Sequence, residues 1–288
     1  AIVVCDNPWE DHRQTSSWYF DPSYCGQLRV PQGNIEPALF NERKFIARRG
    51  TMELYPGAVI NLGTGIPNDM VGKVCNEERV SEDVMITVES GIYGGVQAGG
   101  IDFGIGQNLY AMIGHHEQMD YYNGAGVDIT YMGLGELDEM GNVNSTKMGP
   151  RCTGAGGFID ITQNAKKVVF LGTFTAGGAR YRFENGRLVI LEEGKIRKMV
   201  RQVAQISFNG PLAREKRQPV FIVTERAVFE LREEGVVLTE IAPGIDLKTQ
   251  VLDMMDFKPI VNRDLKEMDK RLFIQDGPFG LKEQMIQC

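Results

Sequence analysis

An apolar run at residues 84–88 ends in Glu89, and glycines follow at once: Val84-Met85-Ile86-Thr87-Val88-Glu89-Ser90-Gly91-Ile92-Tyr93-Gly94-Gly95. A carboxylate presented at the end of a strand, on a turn, is either a solvated strand end satisfied by nearby N–H groups or a reactive group. The local pattern does not separate the two. A second segment, Gly154-Ala155-Gly156-Gly157, is a turn whose backbone N–H groups can approach a ligand that a side chain would obstruct. Gly141-Asn142-Val143-Asn144 reads as ordinary turn chemistry. The adjacent His115 and His116 lack a third ligand at suitable spacing, so no metal site is assigned.

The elements that must position Glu89 follow from apolar periodicity. Residues 39–55 carry Leu39, Phe40, Ile46 and Met52 among charged residues, the pattern of an amphipathic helix, which Pro56-Gly57 ends. Short apolar strands are predicted at 58–62, 84–88, 127–132, 167–171, 220–223 and 236–238. The turn Gly63-Thr64-Gly65-Ile66-Pro67 opens a helix reaching Glu78, and further helices are predicted at 195–205 and 247–255, the latter with Asp246 as N-cap. Strands alternating with helices predict an α/β fold: an open, mainly parallel sheet flanked by helices, with ligands beyond the carboxyl ends of the strands. Glu89 stands at such an end.

Composition narrows the function classes. A formal net charge of −7 with scattered positive residues gives no basic stripe, so nucleic acid is not an expected partner. No apolar run is long enough to span a bilayer, and residues 1–5 lack the form of a signal peptide, so a cytoplasmic location is expected. The five cysteines, Cys5, Cys25, Cys75, Cys152 and Cys288, are widely spaced and read as free thiols. Of the 34 glycines, 20 fall between Gly91 and Gly178, interleaved with aromatic and aliphatic residues, which predicts tight turns and close backbone approach to a ligand.

Seven ordered segments resemble the family I coenzyme A transferases, most closely the single-chain propionate or acetate CoA-transferase type: NERKFIARR (41–49), NLGTGIP (61–67), TVESGIYGG (87–95), GAGVDITYMG (124–133), GNVNSTK (141–147), GAGGFIDIT (154–162) and VVFLGTFTAGG (168–178). The resemblance implies that Glu89 is the nucleophile that carries CoA as a glutamyl thioester in ping-pong transfer between a short-chain acyl-CoA and another carboxylate. It implies that Gly157 supplies an oxyanion N–H. Gly156, Asn142 and Asn144 are assigned to the CoA site, and Gly94 and Gly95 are expected to leave room for the pantetheine arm. CoA is then a substrate, and no cofactor or metal is expected.

The same resemblance implies a preceding α/β half that completes the acyl pocket. Residues 1–40, with Pro8, Pro22, Pro31 and Pro37, are read as a linker and the end of that half, and 41–288 as the catalytic domain. The expected partners are acyl-CoA, short-chain carboxylates, the N-terminal half of the same protein or a partner chain, and further copies in a homo-oligomer. Three readings compete: a 3-oxoacid CoA-transferase, a non-catalytic binding module, and a nucleotide-binding oxidoreductase suggested by Gly63-Thr64-Gly65. The last would need glycine at position 68, where Asn68 stands.

Overall fold

The computed structural model describes residues 1–124 and 126–287; Ala125 and Cys288, the last of the five cysteines, lie outside the described residues. Its frame is a ten-stranded sheet. The strands are β1 (Val59–Leu62), β2 (Met85–Val88), β3 (Ile92–Tyr93), β4 (Ala111–Met112), β5 (Ile129–Gly133), β6 (Lys167–Leu171), β7 (Val220–Val223), β8 (Ala227–Arg232), β9 (Gly235–Ile241) and β10 (Ile260–Glu267). Their order in space is β10-β9-β8-β7-β6-β5-β1-β2-β3-β4. The five central strands, β7 to β2 in that order, are all parallel. β3 and β4 extend one side antiparallel. On the other, β8 and β9 pair antiparallel and β10 is parallel to β9.

Period-two alternation makes this a layered fold. Along β6, Val168 and Phe170 enter one hydrophobic core, whereas Val169 and Leu171 enter the other. A strand covered on both faces needs apolar residues at every position, which is why the central strands read as short continuous runs. Helices α1 (Glu42–Thr51) and α2 (Gly72–Glu77) cover one face through Phe45, Ile46, Val74 and Cys75. Helices α3 (His115–Gly124) and α4 (Phe158–Asn164) cover the other through Tyr122, Phe158 and Ile161. Asn41 caps α1 by accepting the Lys44 N–H at 3.0 Å. Helix α5 (Leu281–Gln287) returns to the first face, its approach fixed by the buried Glu78 carboxylate, which accepts the N–H groups of Phe279, Gly280 and Leu281.

Most predicted elements are present with ends adjusted by a few residues, the strand predicted at 236–238 running longer, from Gly235 to Ile241, and the α/β architecture is as expected. The helix predicted at 247–255 is shorter: Asp246 caps a single turn, Leu247–Gln250, followed by a separate 3-10 turn at Leu252–Met254. The helix predicted at 195–205 does not form. Ile196–Arg197 pairs antiparallel with Thr175–Ala176, and Leu137 exchanges backbone hydrogen bonds with Lys198 and Val200. These pairings hold the segment extended and lay it across the carboxyl ends of the strands. Residues 1–40 are largely irregular but are tied to the body, Asn108 bonding both the N–H and the carbonyl of Val30. Among the described residues no helix is long and apolar enough to cross a membrane. Cys5, Cys25, Cys75 and Cys152 are free.

A buried polar lattice underlies the end of β2. Thr87 Oγ1 donates to the Ile60 carbonyl at 2.7 Å and therefore accepts from the Tyr122 hydroxyl at 2.8 Å. Tyr122 also accepts from Asn61 Nδ2 at 3.0 Å, and Asn61 Oδ1 accepts from Thr130 at 3.0 Å. Three adjacent strands are thereby locked to α3. Tyr122→Phe leaves the fully buried Asn61 without its acceptor, and is expected to cost about 1–2 kcal/mol in urea denaturation with native circular dichroism retained.

Candidate active site

Glu89 is held on a turn that only glycine completes. The Gly91 N–H closes the turn on the Val88 carbonyl at 2.9 Å, and Gly91 adopts φ +105°. A Cβ there would lie 2.0 Å from the Ile113 carbonyl oxygen. Ser90 anchors the other side by donating to the Gly104 carbonyl at 2.8 Å. The carboxylate is thus carried on backbone fixed from two directions.

It faces the loop before α4. A Cβ on Gly157 would sit 2.7 Å from Glu89 Oε2, and one on Gly156 would sit 3.9 Å from Oε1. Among the described residues, neither of these two N–H groups has a protein acceptor. Met119 of α3 and Ile161 of α4 close around Gly157, their terminal carbons 3.3 and 3.1 Å from that same Cβ position. Burial raises the Glu89 pKa above the usual carboxylate range, opposed by the charge of the nearby His115. A partly desolvated carboxylate beside free backbone donors is arranged to attack a carbonyl and to stabilise the oxyanion that results.

A cleft of about 590 Å³ opens from Glu89 across the carboxyl ends of the neighbouring strands. Its floor is glycine: Gly63 and Gly65 after β1, Gly133 and Gly135 at β5, and Gly172 after β6. At two of these positions a side chain would collide, since a Cβ would meet Met132 Sδ at 2.6 Å from Gly63 and Leu134 Cβ at 2.8 Å from Gly172. Met148 lies over Gly135 on the rim. Two cations also line the cleft, Lys198 and Arg43, the latter paired with Asp69.

The structure brings Glu89, Gly156 and Gly157 together and places four other predicted residues elsewhere. Gly94 and Gly95 adopt φ +75° and +74°. The space above them is filled: added Cβ atoms would lie 2.3 Å from the Tyr110 ring and 2.0 Å from the Gln107 carbonyl oxygen. They serve a packed turn, and Gly95 borders a separate cavity of about 140 Å³. Asn142 and Asn144 do not line the main cleft. The Asn142 amide donates to Asp138 and accepts from the Gly210 N–H. The Asn144 amide donates to Glu136 and the Lys147 carbonyl and accepts from the N–H groups of Thr146 and Lys147. Both amides are spent on structural bonds, Asn144 within its own loop and Asn142 between its hairpin and Gly210. Sequence reading missed Lys198, Arg43 and the proximity of His115 to Glu89. A glycine immediately ending the 58–62, 127–132 and 167–171 runs was the available signal for the cleft floor.

No family model matches the chain. It is 43% identical over 265 residues to caffeate CoA-transferase of Acetobacterium woodii, covering 90% of this chain and 50% of that protein. The acyl-CoA transferase YdiF of Escherichia coli O157:H7, solved as a thioester complex with CoA, superposes with a TM-score of 0.79 at 40% identity, covering 90% of this chain and 50% of that one. The acetate CoA-transferase subunit beta of Haemophilus influenzae is 30% identical over 253 residues, covering 79% of this chain and 96% of the subunit. The chain belongs to the CoA-transferases. It spans about half the length of the first two relatives and nearly all of the beta subunit.

Two outcomes follow from the carboxylate's surroundings. Gly157→Ala, allowed by its φ of −80°, should displace the Glu89 carboxylate and slow any acylation of it by about 100-fold in rapid-quench kinetics, with the fold retained. Because burial raises the folded pKa of Glu89, the folded chain holds its proton to higher pH than the unfolded chain, and its stability falls as pH rises through that window. Glu89→Gln should therefore raise the Tm by roughly 2 °C at alkaline pH, and the difference should vanish once Glu89 is protonated in both states.

Proposed function

We propose that residues 41–288 form the catalytic half of a family I CoA-transferase in which Glu89 transfers CoA between short-chain carboxylic acids. The observation that carries this reading is the juxtaposition of a desolvated, geometrically fixed carboxylate with the free donors of Gly156 and Gly157, at the head of a glycine-floored cleft. The Glu89 carboxylate attacks the acyl carbonyl of acyl-CoA, expelling the CoA thiolate and leaving an acyl–glutamyl anhydride. The thiolate attacks the glutamyl carbonyl, the first acid leaves as a carboxylate, and Glu89 holds CoA as a thioester. An incoming carboxylate attacks that thioester, and the same steps run in reverse. Each addition places negative charge on an oxygen beside Glu89, where the Gly157 N–H stabilises it.

The acetate or propionate type is favoured over a 3-oxoacid enzyme because two of the relatives, YdiF and the Haemophilus beta subunit, are named acetate CoA-transferases. The half-length match to two relatives and near-complete match to a beta subunit support a second half, supplied by the same polypeptide ahead of residues 1–40 or by a separate chain. The free thiols fit a reducing, cytoplasmic setting. An oligomer is part of the same proposal.

The test is trapping of the intermediate in the complete enzyme. Incubation with an acyl-CoA should add the mass of CoA at Glu89, in an adduct that borohydride reduces and hydroxylamine captures, and Glu89→Ala should abolish it. An absent adduct in the wild type, or an equal one in Glu89→Ala, overturns the mechanism.

A further inference from the structure

Lys198 is a buried ammonium with no acid bonded to it. Its residue is 8% exposed, and Nζ donates to the Thr173 carbonyl at 2.7 Å. No carboxylate lies within ion-pair distance of it among the described residues. The acid whose charge acts on it, Glu225, is committed elsewhere, accepting from Arg226 Nε at 2.8 Å and from the Phe174 N–H at 2.8 Å. Burial pushes the Lys198 pKa down to about 8, which still leaves most of the side chain charged at neutral pH. An ammonium has three donors, so two remain for a ligand, and Lys198 borders the cleft that begins at Glu89. Gly172 makes the room: a Cβ there would stand 2.9 Å from Nζ.

The position of this charge selects its ligand. Glu89 follows β2, and Lys198 lies over the end of β6, with β1 and β5 between them. Three strand spacings correspond to about 14 Å. A short acyl group on Glu89 does not cross that distance. About a dozen chain atoms separate the sulfur of CoA from its first phosphate, the length of four extended residues, or roughly 14 Å. Building on the proposed CoA transfer, we infer that Lys198 receives the diphosphate of CoA, with the pantetheine arm lying along the glycine floor between it and Glu89. Two unshared donors in a desolvated pocket suit a dianionic group, and the bound phosphate supplies the counter-charge that the protein withholds.

The experiment compares acyl-CoA with the matching acyl-pantetheine, which lacks the diphosphate and nucleotide, as donors to Glu89 in the complete enzyme. Lys198→Met should lower kcat/KM for acyl-CoA by about 10- to 100-fold, mainly through KM, and leave acyl-pantetheine within about threefold of wild type. Lys198→Arg should restore part of the loss, and Lys198→Met should not lower the Tm, since methionine fits an apolar site better than an unpaired ammonium does. An equal loss with both donors, unchanged kinetics with acyl-CoA, or methionine outperforming arginine overturns the assignment. If the wild type labels Glu89 with neither donor, the transferase reading falls and this inference falls with it. If the wild type labels normally and Lys198→Met keeps the same donor preference, Lys198 alone is refuted.

Discussion

Glu89 is a carboxylate held partly out of water at the end of a strand, at a cost that shows in its raised pKa. That constraint organises the chain. Glu89 sits at a strand end, where the backbone can be fixed while the side chain projects beyond the sheet, and its surroundings bury it without an ion pair among the described residues. The rigid support comes from below, through the Thr87–Tyr122–Asn61–Thr130 lattice that ties three strands to α3. The exposed donors come from above, through the loop that begins α4. The two supports are distinct: the lattice fixes the strand that carries the carboxylate, and the loop leaves backbone donors beside it.

Glycine does two different jobs here. At Gly91 it permits a left-handed turn against a carbonyl. Along the cleft, at Gly63 and Gly172, it is spatial clearance, because Met132, Leu134 and Lys198 occupy the volume a Cβ would need. The residue distribution in the chain merges these uses, and that explains which predicted residues the structure brings together and which it sets apart. The strand ends, Glu89 and the Gly156–Gly157 loop were legible, since an apolar run followed by a charged residue and glycine has few local explanations. Gly94 and Gly95 share the composition of cleft glycines, yet the Tyr110 ring and a carbonyl occupy the volume above them. That volume is set by residues the local pattern does not name.

The asparagines and the missing helix show the same limit. Asn142 and Asn144 offer amides of the right type for pantetheine, but Asp138, Glu136 and nearby backbone groups already satisfy them. A hydrogen-bonding group is available to a ligand only after the local accounts are closed, and closure depends on three-dimensional neighbours. Residues 195–205 have a composition compatible with a helix, but pairing with Thr175–Ala176 and Leu137 prevails. That tertiary override turns Lys198 into the cleft, which no propensity would announce.

The parallel centre of the sheet also fixes when the site comes into being. Glu89 directly follows β2, but the groups around it, Met119, Gly157 and Ile161, arrive later in the chain, and the far wall of the cleft arrives later still with Gly172 and Lys198. Parallel pairing brings together segments that are remote in sequence, so these contacts form late and together. The burial that raises the Glu89 pKa is therefore complete only once segments far downstream in the chain have taken their places.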